Sequence, residues 1–230
     1  FISKKKYEIV PCSMNTSKDI GHLRKSYEKG DLSDALKKTS PIALFQDWFA
    51  EAEHHPAIEE ANAMSIVTLG EDAFPKARIV LLKQFSSEGF IFYTNYTSQK
   101  GRAILAYPKV GLSFFWPALE RQVIIKGVAE KVSPEQSDAY FYSRPLGSQL
   151  GAIASDQSAS ISSRKVLEDQ LKALEVEYKD KSPKRPEHWG GFLVRPNVIE
   201  FWQGRPNRLH DRLEYSQTLS KEWEVKRLSP

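Results

Sequence analysis

The chain of 230 residues carries one cysteine, Cys12, and no run of 18 apolar residues. A lone cysteine cannot close an intrachain disulfide or build a multi-cysteine metal site, which favours a reducing compartment. With no long apolar run, no segment reads as a membrane-spanning helix. The beginning, FISKKKYEIVPCS, is basic but lacks the apolar stretch of a secretory signal. The first methionine is Met14. Translation is therefore expected to start there, with residues 1–13 as upstream sequence; a trimmed precursor is the competing explanation. Together these point to a cytoplasmic protein with no membrane partner.

Strong charge of one sign is missing as well. The net charge is +4 and the pI near 9.0, which favours anionic partners weakly. No dense basic stripe of the kind a dedicated nucleic-acid binder carries is present, so nucleic acid is not the expected partner. Internal repeats, HExxH, phosphate-loop and GxGxxG patterns and a Ser–His–Asp order are all absent. His54 and His55 close a predicted helix, where capping is the expected role, and no metal site is expected.

What is present is enough for a single core. Hydrophobic residues make up 40% of the chain and aromatics 11%. Residues 1–40 are polar and read as a flexible N-terminal arm. Ser40-Pro41 then opens a helix, and Leu44, Phe45, Trp48, Phe49 and Ala52 follow at helical spacing. From residue 63 the period shortens to that of strands. Strands are expected at 63–69, 76–85, 90–96, 110–116 and 121–132, with a short helix before Pro108. Ser133-Pro134 opens a further helix, LGSQLGAIAS is a short one, and 162–180 forms an amphipathic surface helix. WGGFLVRP, NVIEFWQG, RLHDRLEYS and WEVKRL return to strand character. The fold class is mainly β with helices (α+β): an antiparallel sheet or barrel with helices packed outside.

Several polar groups have no place in such a core. Arg78 and Lys83 flank IVLL at opposite parity, so a regular strand would send them to opposite faces. A bulge, two separate pockets or simple strand-edge cations all fit. YTNYTSQK (93–100) runs from a strand into a helix start, where Thr94, Ser98 and Lys100 could cradle a phosphate or merely cap the helix. Tyr140, Arg144 and Ser148 fall at i, i+4 and i+8, across the break expected at Pro145. Together they would serve a phosphate dianion; separately, they read as a helix-terminal cation and a cap. Finally, EFWQGRPNRLHDR (200–212) packs three arginines, one histidine, two carboxylates and a tryptophan into thirteen residues.

That last stretch resembles the C-terminal signature of the pyridoxine (pyridoxamine) 5′-phosphate oxidase family. HLRKSY (22–27), RIVLLK (78–83), FYTN (92–95), ERQV (120–123), YFYSRPLGSQLGA (140–152), QS (157–158), WGG (189–191) and the terminal RLSP extend the resemblance in order along the chain. It implies an FMN-binding split β-barrel domain over 41–230 and a homodimer with FMN at the subunit interface. The implied reaction oxidises pyridoxine or pyridoxamine 5′-phosphate to pyridoxal 5′-phosphate, with O2 as acceptor and H2O2 as product.

The resemblance also implies roles. Arg78, Ile79, Val80 and Leu81 would line the FMN site, with Arg78 and Lys100 toward its phosphate. Tyr93, Thr94, Gln122, Gln157, Ser158, Trp202 and Arg212 would complete it. Lys83, Tyr140, Arg144 and Ser148 would grip the substrate phosphate, Arg208 and His210 would sit at the substrate ring, and Arg24 and Tyr27 would close as a lid. One position departs: Gln99 stands where family members commonly carry arginine. The lost charge assistance is worth on the order of 1 kcal/mol, less where solvent reaches it. A split-barrel flavoenzyme of other substrate and a non-catalytic FMN or pyridoxal phosphate carrier are the competing readings.

Overall fold

The computed structural model describes residues 20–23, 25–33 and 40–230. Arg24 and the stretch proposed to be upstream lie outside the described residues. The first helix, α1 (Pro41–His54), begins as its sequence dictates: the Ser40 hydroxyl accepts the Ala43 N–H, and proline occupies the first turn. Its buried face is Leu44, Phe45, Trp48 and Ala52.

Nine strands form one antiparallel sheet. The hairpin β1 (Ala63–Leu69) and β2 (Pro75–Leu81) is followed by β3 (Gln84–Ser86) and β4 (Gly89–Asn95). Helix α2 (Gln99–Ala106) leads to β5 (Lys109–Trp116) and β6 (Arg121–Lys131). Helices α3 (Pro134–Ser143), α4 (Leu146–Ala154) and α5 (Arg164–Glu177) then precede β7 (Trp189–Gln203), β8 (Asp211–Gln217) and β9 (Trp223–Leu228). The strand order is β2-β1-β5-β6-β7-β4-β3, and β8 and β9 extend from β7.

That order forces the sheet to curl. Strands β2 and β3 are its two ends, yet Leu82 and Lys83 alone join them in sequence. Three Cα–Cα steps span at most about 11 Å, so the ends must approach each other. The expected single strand over 76–85 is therefore two. The interruption is satisfied locally: Leu82 N–H donates to Asn62 O at 2.8 Å, and Lys83 N–H donates to Ile91 O at 2.8 Å. The parity conflict between Arg78 and Lys83 disappears, because they do not share a strand.

The two strand-like runs expected in 189–203 are one continuous strand. Its first half pairs with β4 and its second half with β8. The change of neighbour falls at a bulge opposite Lys126 and Gly127. Gly127 is needed there, since a Cβ would lie 2.4 Å from Arg195 O. In contrast, β8 starts only at Asp211; residues 205–210 form a loop with a 3-10 turn at Pro206–Arg208.

Helix α1 plugs the curled sheet. Phe45 is fully buried and meets Phe85, Phe90 and Phe114 edge-on, with ring centroids 5.0, 4.9 and 5.2 Å apart. Helix α5 is different: no residue on it is buried, and its Leu167, Leu171, Leu174 and Tyr178 face is half-exposed. Among the described residues no helix is long and apolar enough to cross a membrane.

Truncating the plug removes contacts to three strands at once. Phe45→Ala is expected to destabilise the fold by about 3–5 kcal/mol, read as a lowered urea midpoint with unchanged slope.

Candidate active site

A cleft of about 720 Å³ opens where the two ends of the sheet meet and α3 and α4 cross. Its size suits a cofactor. Ile79, Val80, Leu81 and Lys83 come from the closure segment, Tyr93 and Thr94 from β4, Lys100 from α2, and Tyr140, Arg144 and Ser148 from the α3–α4 break; Gln157 comes from the following loop. Eleven of the residues singled out from the sequence thus line one cavity. Pro145 ends α3 as expected, and the bend brings Tyr140, Arg144 and Ser148 to the same wall rather than apart.

The electrostatics are one-sided. No aspartate or glutamate lines the cleft among the described residues. Lys100 is buried; its Nζ donates to Thr94 Oγ1 at 2.9 Å and to Gln157 Oε1 at 2.7 Å, both neutral groups. Burial, then the nearby Arg78 guanidinium, lowers its pKa to about 8. Arg144 lies over Trp189, 4.6 Å from guanidinium carbon to ring centroid, and its buried Nη1 has no hydrogen-bond partner. Tyr93 and Tyr140 stack beside it at 3.8 Å. A buried lysine and a half-buried arginine, with neutral or missing acceptors, are what an anionic ligand would satisfy.

Arg78, Gln99 and Ser158 sit just outside this cleft. Arg78 and Gln99 line a smaller one beside it. Ser158, in a left-handed conformation at φ 78°, accepts the Gln99 N–H through its hydroxyl at 3.3 Å. The Gln99 side chain is exposed, which limits what charge there could contribute.

The remaining candidates form a second group. Gln122, Trp202 and Arg212 are direct cross-strand partners on β6, β7 and β8. They share the face opposite the core, since their chain neighbours Val123, Phe201 and Leu213 are all fully buried. Phe115 continues the row and is 55% exposed. Arg212 donates to Glu200 Oε1 at 2.7 Å, and this carboxylate raises its pKa further. His210 Nδ1 accepts the Arg205 N–H at 3.1 Å, and its ring lies 4.7 Å from Trp202 and 5.7 Å from Tyr27. Arg208 is exposed and, among the described residues, makes no ion pair. It and Asn207 both adopt positive φ, 64° and 58°. Such backbone costs on the order of 1–3 kcal/mol per residue and concentrates at functional sites.

Sequence reasoning missed the groups that hold the arm. Glu120 is 1% exposed and accepts the Glu28 and Lys29 N–H groups. Asp211 accepts the Leu32 N–H at 3.1 Å and pairs with Arg227 at 2.8 Å and Arg205 at 3.5 Å. Both carboxylates stand in ordinary turn or strand sequence. Their roles depend on contacts some 90 and 180 positions away in the chain, which no local pattern records.

Known proteins resemble this chain along most of its length. A family described as "Pyridoxamine 5′-phosphate oxidase" matches residues 50–178, and "Pyridoxine 5′-phosphate oxidase C-terminal dimerisation region" matches 189–230. The pyridoxine/pyridoxamine 5′-phosphate oxidase of Flavobacterium psychrophilum is 55% identical over 93% of this chain and all of that protein. The Flavobacterium johnsoniae protein of the same name is 57% identical over 92% of this chain and 99% of its own. The chain belongs to the pyridoxine/pyridoxamine 5′-phosphate oxidase family. It is therefore an oxidoreductase, the cofactor that goes with the family is FMN, and the dimerisation region supports a homodimer. Among solved structures, PhzG from Burkholderia lata, in complex with tetrahydrophenazine-1-carboxylic acid, superposes with TM-score 0.80 at 25% identity. That match covers 86% of this chain and 98% of PhzG. A pyridoxamine 5′-phosphate oxidase-related, FMN binding protein from Nostoc punctiforme shares the fold, with TM-score 0.66 at 15% identity over 84% of this chain and all of that one.

Lys100 gives this site a pH signature. A phosphate held by this lysine would raise its pKa again, so binding there would take up a proton above about pH 8. FMN affinity is expected to fall as pH rises past about 8, by up to about tenfold per unit, and Lys100→Met to flatten that dependence. Fluorescence titration of FMN from pH 7 to 9.5 measures both.

Proposed function

We propose that the chain oxidises pyridoxine 5′-phosphate or pyridoxamine 5′-phosphate to pyridoxal 5′-phosphate. O2 is the final acceptor and H2O2 the product; the amine additionally consumes water and releases ammonia. The observation that carries this reading is the carboxylate-free cleft with two phosphate-competent cation groups. Lys100, with Thr94 and Gln157 and with Arg78 behind, would hold the phosphate of FMN. Lys83, Tyr140, Arg144 and Ser148 would hold that of the substrate, and the unpartnered Arg144 Nη1 marks where an acceptor oxygen belongs. An FMN protein of other substrate would not need the second group.

Held by Lys100, Thr94 and Gln157, a bound FMN would supply the redox chemistry: a two-electron acceptor for the substrate's 4′ carbon that O2 can reoxidise. The protein's part is placement. Val80, Leu81 and Tyr93 supply walls, and Tyr140 stacks on Tyr93. The second group, Gln122, Trp202, Arg208, His210 and Arg212, does not line the cleft of its own chain. Four of its five members fall within the region matched as a dimerisation segment. Each active site is thus assembled from the cleft of one subunit and the outer face of the other. Arg208 stays protonated, so its role is electrostatic orientation of the substrate ring. With His210 Nδ1 accepting from Arg205, neutral His210 carries its proton on Nε2, the nitrogen left to meet substrate. Tyr27, and Arg24 beside it in sequence, would close over the ring.

Purified protein should absorb as a flavoprotein and yield equal amounts of peroxide and pyridoxal 5′-phosphate from pyridoxine 5′-phosphate under air. Flavin without product from either substrate would refute the reaction. Arg208→Leu should lower kcat by about 10²-fold while FMN content is retained; parallel loss of both would refute its role. Gln99→Arg should tighten FMN binding by no more than about tenfold, because the position is exposed. An unchanged dissociation constant would show that Gln99 has no part in the flavin site.

A further inference from the structure

We propose that Glu120 is a positioning residue for substrate binding: it fixes the arm so that Tyr27 sits on His210 and Trp202. The proposal rests on the reading of Tyr27 and His210 as substrate-side groups.

Residues 25–33 are polar, yet they lie against the body of the protein. Glu120 receives them. Its Oε2 accepts the Glu28 N–H at 2.8 Å and the Lys29 N–H at 3.1 Å, and its Oε1 pairs with Lys25 Nζ at 3.1 Å. Lys29 Nζ reaches the same turn, donating to Ala118 O at 2.7 Å. A carboxylate 1% exposed must be compensated to remain charged, and these three donors compensate it. Burial pushes its pKa up, but the bonds from Lys29, Lys25 and Glu28 outweigh burial and hold it below the ordinary value.

The same residue grips the other side of the site through its main chain. Glu120 O accepts the Gly204 N–H at 2.8 Å and the Gln203 side-chain amide at 3.2 Å. Gly204 begins the loop that carries Arg208 and His210. Glu120 holds a left-handed conformation, φ 56°, which lets carbonyl and carboxylate serve two different segments. Between those two grips lies Tyr27. Its ring is 5.7 Å from both Trp202 and His210, and it rests on Gly204, where a Cβ would come within 2.7 Å of the ring. The Tyr27 ring has no room to approach as closely over any larger residue.

The test uses the FMN-loaded full chain. Glu120→Gln replaces one acceptor oxygen by a donor facing donors. Trypsin cleavage after Lys25 and Lys29 should accelerate at least roughly fivefold. The KM for pyridoxamine 5′-phosphate should rise about three- to tenfold, with kcat within about twofold and FMN affinity unchanged. Lys25→Met, an exposed change that leaves the turn intact and removes one of the two cleavage points, should accelerate cleavage after Lys29 and raise KM in the same direction by less. In a Tyr27→Ala background, Glu120→Gln should add no further rise in KM, since the two act as one unit. Wild-type cleavage after Lys29 and wild-type KM in both Glu120→Gln and Lys25→Met would overturn the proposal. If Tyr27→Ala leaves KM unchanged while Glu120→Gln still frees the arm, the substrate-side reading of Tyr27 fails, and the positioning role with it.

Discussion

Leu82 and Lys83 join the two outermost strands of the sheet, and much of the architecture follows from that short link. A sheet whose ends must meet within about 11 Å cannot stay open. It curls, α1 fills the interior with Phe45 and Trp48, and the outside near the closure becomes concave. The cleft lies there. Ile79, Val80, Leu81 and Lys83 line it because they end β2 and form the link to β3, and β4 contributes Tyr93 and Thr94 because it is the next strand inward. The constraint that shapes the barrel therefore also places the candidate cofactor site.

The distribution of carboxylates divides the partly or fully buried cations into two kinds. Arg212, Arg121 and Arg185 are each satisfied by a carboxylate within 2.7 Å. Lys100 and Arg144 are not, although both are at least partly withdrawn from water. Burying a cation without an anion is unfavourable unless a ligand supplies one. Both cations that carry this cost line the same cleft, the one proposed above to take the phosphates of cofactor and substrate. By the same reasoning Arg212 is a poor candidate for direct phosphate contact: Glu200 already takes its Nε and the Ser229 carbonyl its Nη1, and its contribution to a flavin site would be through shape and through the Trp202 row.

Much of this was legible in the sequence. Ser40-Pro41 and Ser133-Pro134 mark helix starts where helices begin, and the period-2 runs around 63–69, 90–96 and 110–116 are strands. Local chemistry decides such features. The break at Leu82 was not legible, because IVLLK has the apolar continuity of an unbroken strand; only the competing demands of Asn62 O and Ile91 O end it. The parity clash between Arg78 and Lys83 was the one local sign. Cleft residues such as Lys83, Tyr140 and Arg144 were identified through motifs, but their convergence depends on a bend at Pro145 whose direction no spacing encodes. The hold of Glu120 and Asp211 on the arm was not legible, because their partners there lie far away in the chain.

The arm shows how polar sequence can be ordered without a core of its own. Leu32, at 2% exposure, is the single buried apolar residue in 25–33, so burial alone holds the segment weakly. Two carboxylates do the rest, one at each end: Glu120 takes the N–H groups of residues 28 and 29, and Asp211 takes that of Leu32. Arg227 and Arg205 then donate to the carbonyls of Leu32 and Gly30. Bonds between charged groups and the main chain are directional and worth about 1.5–3 kcal/mol each. They are also exchangeable with water, unlike a packed core. An arm fastened this way is registered closely on His210 and Trp202 through Tyr27, yet its bonds can be exchanged for bonds to water one at a time, which is what the lid role proposed above would need.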